Sequence, residues 1–531
     1  MRPSEKSGIS PERWFQWKDG LDFATVASLP FSMGKFYGEQ TMGGFFGAVS
    51  REHCVSDVFY GTDYHSHLGT FRGGMAFWTP ENGFLRSIHD ITNSPFRTRF
   101  DNDVAKFSEL GPCSGIGCIS DTDDQPLLFH SHLGRFAITT VGLLNNLKEL
   151  VDHLLANHVS QFSALQSGEI TQTEVIAALI NTKNSFEEGF LYVQEMVKGS
   201  LSLLLLAPNN VLYAMRDRWG RTPIALGGKE DGFAASFESC AFPNLGYKPL
   251  RDLGPGEAVR ITYSGVQTIL QPREQECLCS FLHVYYGYPG STYNGNNVEH
   301  TRYRCGSELA KDSPVEADIV AGIPDSGVGH ALGYSQESGI RYARPYVKYT
   351  PTWPRSFMPS NQATRQHIAQ MKLIPIPELI RDRSIVFCDD SIVRGTQLRD
   401  QVKRLFQDGA KAVHVRIACP PLLFPCPFIN FSRSKSAMDL ITRRIIKDLD
   451  GENADIERYI DPEGVPYQSM VDRIRDRLGL TSLAFQHLDS LKRAIRQPGI
   501  CTYCWNGKDV SLDAKAAGGC PGSCASCRAQ K

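Results

Sequence analysis

The run Ser384-Ile385-Val386-Phe387-Cys388-Asp389-Asp390-Ser391-Ile392-Val393-Arg394-Gly395-Thr396-Gln397 constrains the fold of this chain more than any other stretch. Apolar residues lead into two adjacent carboxylates, then a short loop with Gly and Thr, then a helical pattern from about Leu398 to Gln407. A strand that delivers paired Asp to its carboxyl end and hands over to a helix belongs in a parallel α/β sheet, where ligands sit beyond the strand ends. The chemistry of the loop suits a sugar phosphate. Asp389 and Asp390 can hold ribose hydroxyls and a divalent cation, while loop N–H groups, Ser391 and Thr396 can take a phosphate, helped by the helix dipole. Asp-Asp often marks only a strand end, but that reading leaves the order of the residues after it unexplained.

The pattern repeats nearby. Ala317–Gly322 reads as a strand before Ile323-Pro324-Asp325-Ser326-Gly327, where a Ser and a backbone nest can bind pyrophosphate and a metal ion. Lys411–Ala418 reads as a further strand. Upstream, the chain mixes strands such as Leu201–Ala207 and Phe233–Ser236 with helices over Asn145–Ala156 and Thr173–Leu179, and turns at 252–257. From about Asp439 it is helix-rich and charged.

At 531 residues the chain is long enough for two domains with full cores. A net charge of −1 argues against non-specific nucleic-acid binding. No apolar run reaches the roughly 18 residues a membrane helix needs, and residues 1–41 lack the basic-then-apolar order of a secretory signal, so the cytoplasm is expected. Fifteen cysteines are many for such a chain. Disulfide scaffolds are usually short, so the spacing points to metal: Cys501-Thr-Tyr-Cys504 is a CxxC, and Cys520, Cys524 and Cys527 crowd the end.

The stretch Asp389–Thr396 resembles the phosphoribosyl pyrophosphate (PRPP) signature of type I phosphoribosyltransferases, in the form found in the glutamine PRPP amidotransferase family. The resemblance runs from Gly43 to Asn506. It implies a mixed α/β and α+β chain: an Ntn-hydrolase-like αββα sandwich over residues 43–270, a phosphoribosyltransferase parallel-sheet domain over 271–438, and a helical segment over 439–531. Residues 1–42 match nothing in the family, and a chain start at Met42 is an equal alternative to Met1. Asp325, Ser326 and Gly327 resemble the family's pyrophosphate loop. By the same resemblance, Ser326, Asp389 and Asp390 would touch Mg²⁺, and Ser391, Val393, Arg394, Gly395 and Thr396 would cradle the 5′-phosphate. Lys348 and Pro354-Arg355-Ser356-Phe357 resemble the mobile catalytic loop, with Lys348 and Arg355 as its basic groups and Lys372 just after it. The family usually has Gly where Pro354 stands, and one extra residue separates Lys348 from Arg355 here.

The other half departs from the family where glutamine is handled. Gly43 occupies the position of the catalytic Cys. Cys54 lies inside the chain and cannot offer both a thiol and an α-amine. Ser120 stands where an Arg clamps the substrate carboxylate, Val141 where an Asn completes the oxyanion hole beside Gly142, and Gln172 where an Asp holds the substrate amine. The surrounding scaffold matches, including Arg216–Pro223 and Phe237–Ala241. One lost oxyanion donor costs on the order of 10²–10³ in rate. With nucleophile, clamp, donor and amine-binding Asp all gone, the domain is expected to fold but not to cut glutamine.

In iron–sulfur members of the family four cysteines hold a [4Fe–4S] cluster, and Cys279, Cys426, Cys501 and Cys504 match them. Four-cysteine zinc is chemically equal from sequence, no metal at all is a third reading, and Cys277 competes with Cys279. The Cys520–Cys527 tail matches nothing; a second metal, cluster loading or a disordered reducing tail are its readings. The resemblance implies synthesis of 5-phosphoribosylamine from PRPP and ammonia, taken free or from a partner enzyme. Alternatives are transfer to another amine or base, or a non-catalytic PRPP or nucleotide sensor. Purine nucleotide inhibitors and a homo-oligomer are further expectations by analogy.

Overall fold

The computed structural model describes residues 43–157, 162, 170–349, 373–429, 436–509 and 511. Two antiparallel sheets face each other in the first half. In chain order their elements are β1 (Gly44–Ser50), α1 (Val55–Asp63), β2 (Arg72–Thr79), β3 (Gly83–Asp90), α2 (Phe96–Leu110), β4 (Ser114–Ser120), β5 (Leu127–Ser131) and β6 (Gly134–Leu144). There follow α3 (Leu147–Ala156), α4 (Gln172–Asn181), α5 (Phe186–Met196), β7 (Gly199–Ala207), β8 (Val211–Met215), β9 (Ala225–Lys229) and β10 (Gly232–Ser236). The last strands are β11 (Lys248–Asp252), β12 (Ala258–Thr262) and β13 (Gly265–Leu270). One sheet runs β11-β9-β10-β1-β4-β2-β3, the other β13-β12-β8-β7-β6-β5.

Strand alternation builds the four layers. In β1, Phe45 faces the opposite sheet while Phe46 packs outward with Val55 and Val58 of α1. In β7, Leu204 and Leu206 point between the sheets, and Leu203 and Leu205 point outward to Val175 and Leu179 of α4. Covered on both faces, β7 reads as an unbroken apolar run, GSLSLLLLA.

The second half holds a parallel sheet of Ile319–Gly322, Ser384–Asp389, Ala412–Ile417 and Ser482–Phe485, in that order. The segment expected to be helical after residue 438 therefore also carries a strand. At four residues, Ser482–Phe485 is too short for a periodicity to reveal it. Helices α6 (Val298–Asp312) and α7 (Val328–Ser338) pack together beside the sheet. No helix among the described residues is long and apolar enough to cross a membrane.

The halves are joined at Glu238, which is buried. Its carboxylate accepts hydrogen bonds from the Tyr293 hydroxyl (2.6 Å) and the Tyr288 N–H (3.0 Å), and lies 3.0 Å from His67 Nε2. Burial alone would raise its pKa, but the His67 and His65 imidazoles and the Tyr293 hydroxyl outweigh that and pull it from 4.5 to about 2. A depressed carboxylate stabilises the fold above its unfolded pKa, and that stabilisation is lost as pH falls through the folded value. Glu238→Gln is therefore expected to be less stable than the parent above pH 4.5. In urea unfolding followed against pH, the deficit should shrink between pH 4.5 and pH 2.

Candidate functional site

Ile319–Gly322 and Ser384–Asp389 are neighbours with Gly322 opposite Cys388, so the loops after them open at one edge of the sheet. The Ile323 N–H donates to the Cys388 carbonyl (3.0 Å), and the Gly327 N–H closes the loop onto the Ile323 carbonyl (2.9 Å). The Pro324–Asp325 peptide is cis. Gly327 allows this approach, since a Cβ there would lie 2.2 Å from the Cys388 oxygen. Ser326 Oγ is thereby brought 3.4 Å from Asp389 Oδ1.

The carboxylates are oriented by their own loop. The Asp390 N–H donates to Asp389 Oδ1 (3.0 Å), and Ser391 Oγ donates to Asp390 Oδ2 (2.7 Å). Burial and the neighbouring Asp390 push Asp389 well above the usual carboxylate range. A divalent cation bound there would relieve that condition, and hard oxygen donors would suit Mg²⁺. Gly395, at φ +74°, turns the chain into the helix Thr396–Gln407. Behind the loop, the Val393 carbonyl accepts from the Ile441 N–H (2.8 Å) and the Arg394 carbonyl from Arg444 Nη2 (2.7 Å). Arg394 itself reaches Asp439 at 3.5 Å. Lys348 pairs with Asp325 across the mouth of the loops. Arg355 and Lys372, with Pro354, Ser356 and Phe357, lie outside the described residues.

The four cysteines singled out by sequence converge. Cys279 and Cys501 face each other in a two-residue parallel ladder. The Cys504 carbonyl accepts from the N–H groups of Leu423 (2.9 Å) and Phe424 (3.1 Å), which draws in the segment carrying Cys426. Cys279, Cys426, Cys501 and Cys504 line one small cavity, walled by Phe281, Phe428, Ile429 and Trp505, with Arg221 at its side. The Phe428 and Ile429 N–H groups donate to Cys426 Sγ at 3.5 and 3.4 Å. A hydrogen bond from Cys504, with those two N–H groups, lowers the Cys426 thiol to about 7 against the effect of burial. Four thiols in apolar surroundings fit an iron–sulfur cluster or another thiophilic metal. Cys277 is absent from this lining and turns to Asp509 instead. Cys520, Cys524 and Cys527 lie outside the described residues.

At the first half's positions, every side chain is engaged within the fold. A Cβ on Gly43 would lie 2.2 Å from the Ile119 carbonyl oxygen, so this backbone leaves no room for a side chain. Ser120 Oγ accepts from the Asp123 N–H (3.1 Å) and caps its own turn. Gln172 Oε1 accepts from the Leu144 N–H (2.8 Å). Val141 is buried in the intersheet core. Cys54 is fully buried, and burial raises its thiol far above the usual value.

Residues 115–243 match the model of the glutamine amidotransferase domain. Amidophosphoribosyltransferase from Methanocaldococcus jannaschii is 29% identical over 493 residues, covering 88% of this chain and 97% of the relative. The Pyrococcus horikoshii amidophosphoribosyltransferase is 33% identical over 387 residues, covering 72% and 83%. The chain belongs to the amidophosphoribosyltransferase family. Its fold is that of the family: the Bacillus subtilis glutamine PRPP amidotransferase complexed with ADP and GMP superposes with a TM-score of 0.74 at 28% identity, over 88% of this chain and 97% of that one. A structure described as the allosteric regulatory enzyme of purine biosynthesis gives 0.75 at 28%. As an amidophosphoribosyltransferase family member, the chain is a glycosyltransferase of the phosphoribosyltransferase class.

The sequence marks Glu238 and Arg221 only as scaffold matches and gives no sign of Asp509, which becomes visible only through its contacts. One substitution tests the loop geometry. Gly327→Ala forces its methyl against the Cys388 carbonyl and should pull Ser326 from Asp389. A displacement on that scale is expected to lower kcat/KM for PRPP by about 10²-fold in a pyrophosphate-release assay.

Proposed function

We propose that this chain forms 5-phosphoribosylamine from PRPP and ammonia and has no glutaminase of its own. The observation that carries the second part is the contact at Gly43, where even a Cβ would strike the Ile119 carbonyl. Without a thiol there is no acyl-enzyme, and without the clamp and amine-binding residues there is no glutamine site. Ammonia then arrives free or from a partner enzyme.

The first part is supported by the paired loops. Ser391, Thr396 and the loop N–H groups at the start of the helix would anchor the 5′-phosphate. Asp325, Ser326 and Gly327 would hold the pyrophosphate, with Lys348 and Arg355 closing over it. Asp389 and Asp390 would orient the ribose hydroxyls and, with Ser326, hold Mg²⁺, which supplies charge neutralisation for the departing pyrophosphate. Displacement at ribose C1 asks the protein to position the amine and exclude water, and ammonia needs no strong base. Cys279, Cys426, Cys501 and Cys504 would hold a [4Fe–4S] cluster, which ties the C-terminal segment to the core. Purine nucleotides would inhibit, in keeping with the ADP and GMP bound to the Bacillus subtilis relative, and the working form would be a homo-oligomer.

The test is pyrophosphate release from Mg-PRPP by anaerobically purified protein given ammonium or glutamine. Ammonium at alkaline pH should support turnover and glutamine should not. Asp390→Asn should cut the ammonium reaction by about 10²-fold, the scale of one lost electrostatic contact in an active site. Gly43→Cys should gain no glutamine dependence. Turnover with glutamine alone would overturn the proposal.

A further inference from the structure

Cys277 and Asp509 take no part in the proposed function, yet both are buried and meet beside Cys501. Cys277 Sγ lies 3.4 Å from Asp509 Oδ2, and Cys501 Sγ lies 3.8 Å from the same oxygen. All three donor atoms fall within 4.8 Å of one another. These separations are near those of a chelate. Tetrahedral zinc, with Zn–S of about 2.3 Å and Zn–O of about 2.0–2.2 Å, sets its donors roughly 3.5–3.8 Å apart.

The carboxylate is presented as an oriented ligand would be. Asp509 Oδ1 accepts from Arg221 Nη2 (2.6 Å), the Ser511 N–H (2.9 Å) and Ser511 Oγ (2.5 Å), so Oδ2 is left facing the two sulfurs. Such outer partners fix a metal-binding carboxylate and are part of the site. Two thiolates and one carboxylate would meet a divalent cation here, and the Arg221 guanidinium, shared with buried Asp217, lies beside them. Calcium or magnesium would find too few oxygens here, whereas sulfur donors select a thiophilic ion.

We propose that Cys277, Cys501 and Asp509 form a binding site for a single zinc ion, with its fourth position open. Two thiol protons leave to solvent as zinc binds. The site uses Cys501, so zinc excludes the cluster; that competition, though not the zinc site itself, rests on the cluster reading above. The metal present when the chain folds then decides whether Cys501 joins Cys277 or Cys279.

The experiment uses the full chain with Cys520→Ser, Cys524→Ser and Cys527→Ser, so that tail thiols cannot contribute. Cluster-free protein from iron-starved cells is titrated anaerobically with Co²⁺, then with Zn²⁺. One equivalent of cobalt should give charge-transfer absorption with the intensity of two thiolates, and zinc should displace it. Cys277→Ser and Asp509→Asn should each weaken zinc binding by tenfold or more, while Cys279→Ser and Cys504→Ser leave it unchanged. Zinc-loaded parent should refuse iron and sulfide, whereas Cys277→Ser should still take up four irons. If parent without zinc also refuses them while its cobalt spectrum stands, the cluster reading falls and the zinc site survives. No cobalt signal in the parent overturns the site, and so does an intensity of four thiolates. Loss of zinc binding in Cys279→Ser with retention in Cys277→Ser overturns it too. The parent's cobalt intensity decides the matter even where a variant fails to fold.

Discussion

The parallel register that sets Gly322 against Cys388 is the constraint on which the candidate site depends. It puts two strand ends side by side, and the Ile323 N–H to Cys388 carbonyl bond then stitches one loop onto the end of the other strand. Neither loop alone would make the proposed PRPP site. A slip along the strand direction would part Ser326 from Asp389, and the oxygens that fit a cation would no longer converge. The glycines matter for the same reason: at Gly327 backbone passes backbone so closely that no side chain fits.

On the proposed reading, the first half keeps the family fold while the four positions assigned to glutamine handling serve the fold itself. Ser120 caps a turn, Gln172 ties α4 to β6 through the Leu144 N–H, and Val141 fills the core between the sheets. What the half retains is its apolar layering and its joint through Glu238, both of which serve the whole chain.

Much of this was legible beforehand, for identifiable reasons. The loop Asp389–Thr396 speaks through residue order alone, because carboxylates, small residues and a helix start occur together for few physical purposes. The strand at Leu201–Ala207 was readable because burial on both faces demands apolar residues throughout. Ser482–Phe485 was hidden because four residues cannot display a period. The family match set Cys279 ahead of Cys277, and their surroundings differ accordingly: Cys279 lines the cavity, while Cys277 meets Asp509. Asp509 itself carried no signal, as its role comes entirely from long-range contacts.

Those contacts bear on how the chain comes to be folded at all. Arg221, in the first half, is buried and pairs with Asp509 across 288 residues of sequence. The strand carrying Cys279 likewise takes its partner from Ile500–Cys501. During synthesis, the first half emerges hundreds of residues before these partners exist, at a pace of roughly 5–20 residues per second. For tens of seconds Arg221, and after it the strand Leu278–Cys279, must wait without these partners. The last step is therefore a loop closure of nearly the whole remaining chain, whose entropy grows only slowly with length. The segment carrying Ile500, Cys501 and Asp509 acts as the latch, so folding completes only once it has been made.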